Sequence, residues 1–103
     1  MLNNMGLMYL ESGRLDAAQS YLSQSLKIEE TFEALFNLGR CHLQNSRLRL
    51  ARSSFRGALK LASDMDEMSQ CYYQLGRVLL ELNKNSLAYE NLKKSLDLKG
   101  DSV

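Results

Sequence analysis

Proline and tryptophan are absent from this 103-residue chain, and glycine occurs only six times. An all-β domain needs more turn-forming and β-branched residues, so the shortage favours helices. A single histidine and no glycine-rich loop leave little equipment for acid–base or phosphoryl chemistry, and no enzyme is expected. Two cysteines, Cys41 and Cys71, are too few for a disulfide scaffold and lack metal-site spacing. They fit a reduced intracellular setting, and a cytoplasmic location is the expectation. No apolar run approaches the roughly 18 residues that cross a bilayer. The first residues, Met1 to Met5, lack the basic stretch of a secretory leader. Neither sign of charge dominates, with 13 Lys and Arg against 12 Asp and Glu, so net charge points to neither nucleic acid nor membrane. What remains is ordinary globular composition, 45% hydrophobic and 24% charged, at the size of one domain.

Self-similarity is the strongest positive signal. A large apolar residue stands directly before a glycine at Met5-Gly6, Leu38-Gly39 and Leu75-Gly76. Twelve residues after each glycine stands an alanine: Ala18, Ala51, Ala88. Four further on stands a large side chain: Leu22, Phe55, Leu92. Leu2, Leu35 and Tyr72 complete the register three residues before each Met or Leu. The periods are 33 and then 37 residues. Within each period the apolar spacing is helical, as at Leu35, Leu38 and His42/Leu43. Turn-forming residues divide each unit at Ser12-Gly13, Asn45-Ser46 and Asn83-Lys84-Asn85. Gly39 and Ala51 are small where two helices should cross closely.

These residues resemble the tetratricopeptide repeat, whose unit of about 34 residues reads W-x2-L-G-x2-Y…A-x3-F…P. The units here read Leu2-x2-Met5-Gly6-x2-Tyr9…Ala18-x3-Leu22, Leu35-x2-Leu38-Gly39-x2-His42…Ala51-x3-Phe55 and Tyr72-x2-Leu75-Gly76-x2-Leu79…Ala88-x3-Leu92. The terminal proline is missing from all three, and His42 and Leu79 replace the tyrosine. The resemblance implies an all-α, right-handed superhelical solenoid of three antiparallel helix pairs. Repeats are expected at about 1–31, 32–65 and 66–103 of a single domain, with helices near 2–12, 15–28, 32–45, 48–62, 66–82 and 86–98. The extra residues around Met65 to Met68 should add about one turn to the fifth helix. Ser63 with Asp66, or Asp64 with Glu67, can form a capping box there.

One hairpin cannot bury its own apolar face, so neighbours stack and curve, with the first helix of each pair on the inner side. The groove face then holds Asn3, Leu7 and Leu10 on the first unit. It holds Glu33, Phe36, Asn37, Arg40, Leu43 and Gln44 on the second, and Gln70, Tyr73, Gln74, Arg77 and Leu80 on the third. Matching places align, putting Arg40 beside Arg77 and Phe36 beside Tyr73. Two aligned guanidiniums suit a carboxylate, amides suit an extended backbone, and aromatic side chains supply apolar pockets. The expected partner is a protein or peptide with an acidic residue, not a small-molecule substrate. Chaperone-binding members of the family clamp a C-terminal carboxylate with Lys and Asn on the first inner helix, Asn on the second, and Lys and Arg on the third. The matching places here are Asn3, Leu7, Asn37, Gln70 and Gln74, of which only Asn37 agrees, so chaperone tails are not expected ligands.

The near-zero net charge conceals a division. Residues 34–63 contain six basic and no acidic residues, leaving +6 there and −5 elsewhere. Arg49, Arg52, Arg56 and Lys60 fall on one stripe of the fourth helix, opposite Leu48, Ala51, Phe55 and Leu59, on the outer side. The stripe is either a docking strip for an acidic partner, anionic lipid or nucleic acid, or a solvated face bridged to acids such as Asp16, Glu90 or Asp97. No aromatic residue is interleaved to stack a base, so sequence-specific nucleic acid reading is not expected. His42 is expected as a packed, satisfied core residue, and Cys41 and Cys71 as small buried apolar groups. No cofactor and no metal site is expected.

The function expected is a non-catalytic scaffold or adaptor segment that holds a partner peptide in its groove. The alternative is an assembly unit that self-associates into a homo-oligomer, or docks through its C-terminal end and basic stripe. Tyr73, Val78, Leu82, Tyr89 and Leu96 include candidates for uncovered apolar surface at that end. A chain that starts almost inside a helix and stops soon after Leu98 also reads as a segment of a longer array.

Overall fold

A computed structural model describes residues 2–99. Six helices follow in order: α1 (Leu2–Glu11), α2 (Leu15–Ile28), α3 (Phe32–Gln44), α4 (Leu48–Leu61), α5 (Met65–Glu81) and α6 (Asn85–Lys99). The expected helix boundaries hold to within a residue. The fifth helix has 17 residues against 13 in α3, an added turn as the spacing requires. Its start is capped by Asp64, whose carboxylate accepts the Glu67 amide at 2.8 Å. Glu67 reaches back and accepts from the Ser63 amide at 2.8 Å. Of the two caps offered by the sequence, the Asp64–Glu67 pair is the one that forms.

Three turns of one geometry join the helices into pairs. Gly13, Ser46 and Asn83 each take positive φ, at 83°, 60° and 63°. The next amide then donates to a carbonyl five residues back: Arg14 to Tyr9, Arg47 to His42 and Lys84 to Leu79, at 2.8–2.9 Å. This Schellman closure satisfies the last carbonyls of each first helix and reverses the chain. Left-handed backbone favours Gly or Asn, so Ser46 is the costly member of the set.

Each hairpin is sealed where a glycine faces a large side chain. A Cβ at Gly6 would lie 2.6 Å from Leu22, one at Gly39 2.7 Å from Phe55, and one at Gly76 2.6 Å from Leu92. The repeated glycine and the residue sixteen positions later are therefore one contact, made three times. Aromatic pairs add to it: Tyr9 stacks on Tyr21 and Phe36 meets Phe55 edge-on, both at 5.4 Å.

Each core is built from one hairpin and the first helix of the next. Leu10, Ala18, Leu22 and Cys41 form one cluster across α1, α2 and α3. Ala51 and Phe55 of α4 and Leu75 and Val78 of α5 form the second, with Phe36 and Leu43 of α3 packed against it. The first helices also touch one another, α1 with α3 and α3 with α5, whereas α2 and α4, and α4 and α6, do not meet. The stack is thus a helical repeat solenoid in which α1, α3 and α5 adjoin along one side, the inner side of the expected curve.

Candidate functional site

Three helical turns of α3 and their matches on α5 build the inner groove. Arg40 and Arg77 occupy the same place in their repeats. Each donates to the amide one turn earlier, Arg40 to Asn37 Oδ1 at 3.5 Å and Arg77 to Gln74 Oε1 at 3.4 Å. Arg40, Leu43, Gln44, Gln74, Arg77 and Glu81 line one open cleft of about 380 Å³, joined by Ser46 from the α3–α4 turn and Leu48 from the start of α4. A second cleft of about 320 Å³ continues along the groove between Phe36, Arg40, Gln70, Tyr73 and Gln74 to Ser69, Ser95 and Lys99. Arg77 lies 5.9 Å from the centre of the exposed Tyr73 ring, within cation–π range. Both guanidiniums therefore hydrogen-bond to amides of their own helices, and among the described residues neither has a carboxylate within 4.0 Å, although Glu81 lines the same cleft.

Other residues placed on this face by helical spacing behave differently. Leu10 does not line the groove; it is 1% exposed inside the first core, because α1 turns this side toward α2 and α3. Asn37 is 7% exposed and serves mainly between repeats, donating to Asn3 Oδ1 at 3.3 Å. Leu7 and Leu43 are half-buried against the two cores. Glu33 and Asn3 lie together in a separate cleft with Leu2 and Ile28, away from the arginines. Leu80 is exposed at 48%. Ser46, Leu48 and Lys99 were not foreseen: the first two come from a turn and the next helix, the third from the end of α6. Helix-face arithmetic on α3 and α5 cannot reach them.

Buried polar groups elsewhere carry no arranged chemistry. His42 is 5% exposed as expected, yet Nδ1 has no partner, so the ring is buried but not satisfied. Burial first, and the Arg47 charge second, hold it below the ordinary imidazole value of 6.5. The Cys41 thiol donates to the Leu15 carbonyl at 3.3 Å, and burial raises its pKa. Burial and then Glu67 push the Cys71 thiol up to about 12, which makes it inert as a nucleophile. No group of three or more His, Cys, Asp or Glu is placed to hold a metal ion among the described residues. No helix among them is long and apolar enough to cross a membrane. Of the apolar residues foreseen as uncovered, Val78 is fully buried and Leu82 half-buried, since both pack on the second core. Tyr73, Tyr89 and Leu96 are exposed.

Two family descriptions, both reading tetratricopeptide repeat, match residues 3–66 and 69–102. The chain belongs to the tetratricopeptide repeat family. Among curated proteins, this tetratricopeptide repeat chain is 29% identical over 108 residues to the Tonsoku-like protein of Danio rerio, covering 95% of the chain and 8% of that protein. It is 29% identical over 107 residues to the anaphase-promoting complex subunit CDC16 of Saccharomyces cerevisiae, covering 96% of the chain and 12% of that protein. The chain thus spans about a tenth of the length of these relatives. The tetratricopeptide repeat is in general a non-catalytic protein-interaction fold.

Proposed function

We infer that this chain is a scaffold or adaptor segment that acts as one unit over residues 1–103 and holds a partner peptide against α3 and α5. The observation that carries this reading is the cleft shared by Arg40, Gln74 and Arg77, in which two guanidiniums face one opening. A carboxylate between them gains two charge-assisted contacts, while Gln44 and Gln74 offer backbone-matching amides. Phe36 and Tyr73 supply apolar floor further along. Rigid helices present this arrangement in advance, so the peptide alone loses freedom on binding.

Selection from displayed random peptides of about 12 residues, long enough for an extended segment, tests it. Recovered peptides should carry an acidic residue, and the variant Arg40→Glu/Arg77→Glu should bind them at least about tenfold more weakly. Peptides that bind this variant unchanged would exclude the groove.

A second reading, assembly into a larger complex, has its own observation. Tyr89 and Leu96 are 67% and 66% exposed on α6. Leu96 matches Leu26 and Leu59, which are half-buried in their repeats. One relative is by name the subunit of a complex. Sedimentation velocity across a concentration series distinguishes a self-associating chain from a monomer.

A further inference from the structure

The outer side carries a cleft that the inner-groove reading leaves unused. Because α4 and α6 do not meet, α5 forms the floor of a crevice between them. Leu59, Tyr72, Leu79 and Leu87 line it, with Arg52 and Arg56 on one rim. Its volume, about 230 Å³, lies below the roughly 300–1,000 Å³ of small-molecule sites and fits inserted side chains better than a metabolite. Leu87 is 49% exposed on the opposite wall.

Arg52 and Arg56 belong at once to this apolar crevice and to the basic cleft of Arg49 and Lys60. The four cations run about 16 Å along α4 at 1.5 Å per residue. Like charges one turn apart repel, so the stripe calls for compensating anions. Among the described residues no carboxylate lies within 4.0 Å of these four charges. Asp16, Glu90 and Asp97 do not bridge to the stripe.

We propose that the α4–α6 crevice is a second docking site, for an acidic amphipathic segment of a partner protein. A Leu or Phe of that segment enters the crevice, and carboxylates one helical turn apart meet Arg52 and Arg56. Nucleic acid fits worse. The Tyr72 ring is covered by the Lys94 ammonium, 5.4 Å from its centre, and is not free to stack a base. The site is independent of Arg40 and Arg77, which lie on the other side of the solenoid.

The test uses a synthetic peptide of about 14 residues, four helical turns, with Leu or Phe at every third or fourth place and Glu or Asp between. Its binding to the isotope-labelled chain is followed by NMR and fluorescence anisotropy. Shifts should map to Arg52, Arg56, Leu87 and Asn91. Arg52→Glu/Arg56→Glu and, separately, Leu87→Glu should each weaken binding at least about tenfold, with Arg40→Glu/Arg77→Glu unchanged. All these side chains are half-buried or exposed, and unchanged circular dichroism verifies the fold. A peptide with serine in place of its apolar residues should also lose at least about tenfold. The proposal fails if the serine peptide binds equally, if shifts map to α1 and α3, or if an oligothymidine of equal charge binds more tightly.

Discussion

Replacing Gly39 with alanine puts one methyl group where the chain has no room for it. The added carbon would stand 2.7, 2.8 and 2.9 Å from Cε1, Cδ1 and Cζ of Phe55. Ordinary contact begins at 3.4 Å, so the ring must retreat by about 0.7 Å. It has nowhere to go: Phe55 is fully buried, with Phe36 edge-on at 5.4 Å and Leu43, Leu48 and Leu59 packed around the same cluster. Overpacking of this kind costs about 1–3 kcal/mol. Alanine in a helix returns about 1 kcal/mol over glycine. The net expectation is a loss of about 1 kcal/mol, or roughly 4–8 °C in Tm for a chain this size. Thermal and urea unfolding followed by circular dichroism measure it. Gly57→Ala is the internal control. There the new carbon meets only the two δ-methyls of Leu35, at 3.3 and 3.8 Å, flexible ends that can yield, so up to about 1 kcal/mol of stabilisation should appear. Phe55→Leu in the Gly39→Ala background should cost less than it does alone, because the two sites are coupled. Equal or greater stability of Gly39→Ala would refute the idea that the repeated glycine exists to admit the neighbouring helix.

Ser69 and Ser95 form a buried bridge between α5 and α6, each hydroxyl donating to the other's carbonyl at 2.9 Å. Either alanine substitution should cost about 1 kcal/mol, and the double variant less than the sum, in a double-mutant cycle by urea unfolding. His42 is held below 6.5 in the folded chain, whereas the unfolded chain protonates at its ordinary value. Its contribution is therefore complete above pH 6.5 and is lost as pH falls from there toward the folded value. In His42→Tyr, with the residue that Tyr9 provides in the first repeat, the urea midpoint should fall less than in the native chain across that window. Asp64→Ala removes the only side chain that accepts the Glu67 amide at the start of α5 and should cost about 1 kcal/mol by thermal melting.

The spacing of glycine, alanine and a large residue, met three times, was enough to place six helices, the crossing points and the long fifth helix. That is local information: helical period, turn chemistry and steric size act within about forty residues, and the repeat states each rule three times. The alignment of Arg40 with Arg77 followed from the same periodicity, since equal register puts equal residues on one face of a stack. What the sequence could not settle were matters of which atoms meet across helices. Leu10 and Val78 lie on faces that simple helix arithmetic leaves outside the core, yet both are buried: α3 of the next hairpin closes over Leu10, and Val78 packs back on the preceding hairpin of α3 and α4. The unpartnered Nδ1 of His42, the Ser69–Ser95 bridge and the apolar crevice beneath Arg52 and Arg56 arise from how one helix packs on another, which the spacing within a helix does not specify. Periodicity sets which side of a helix faces inward; only the packed neighbours decide what each side chain there finds.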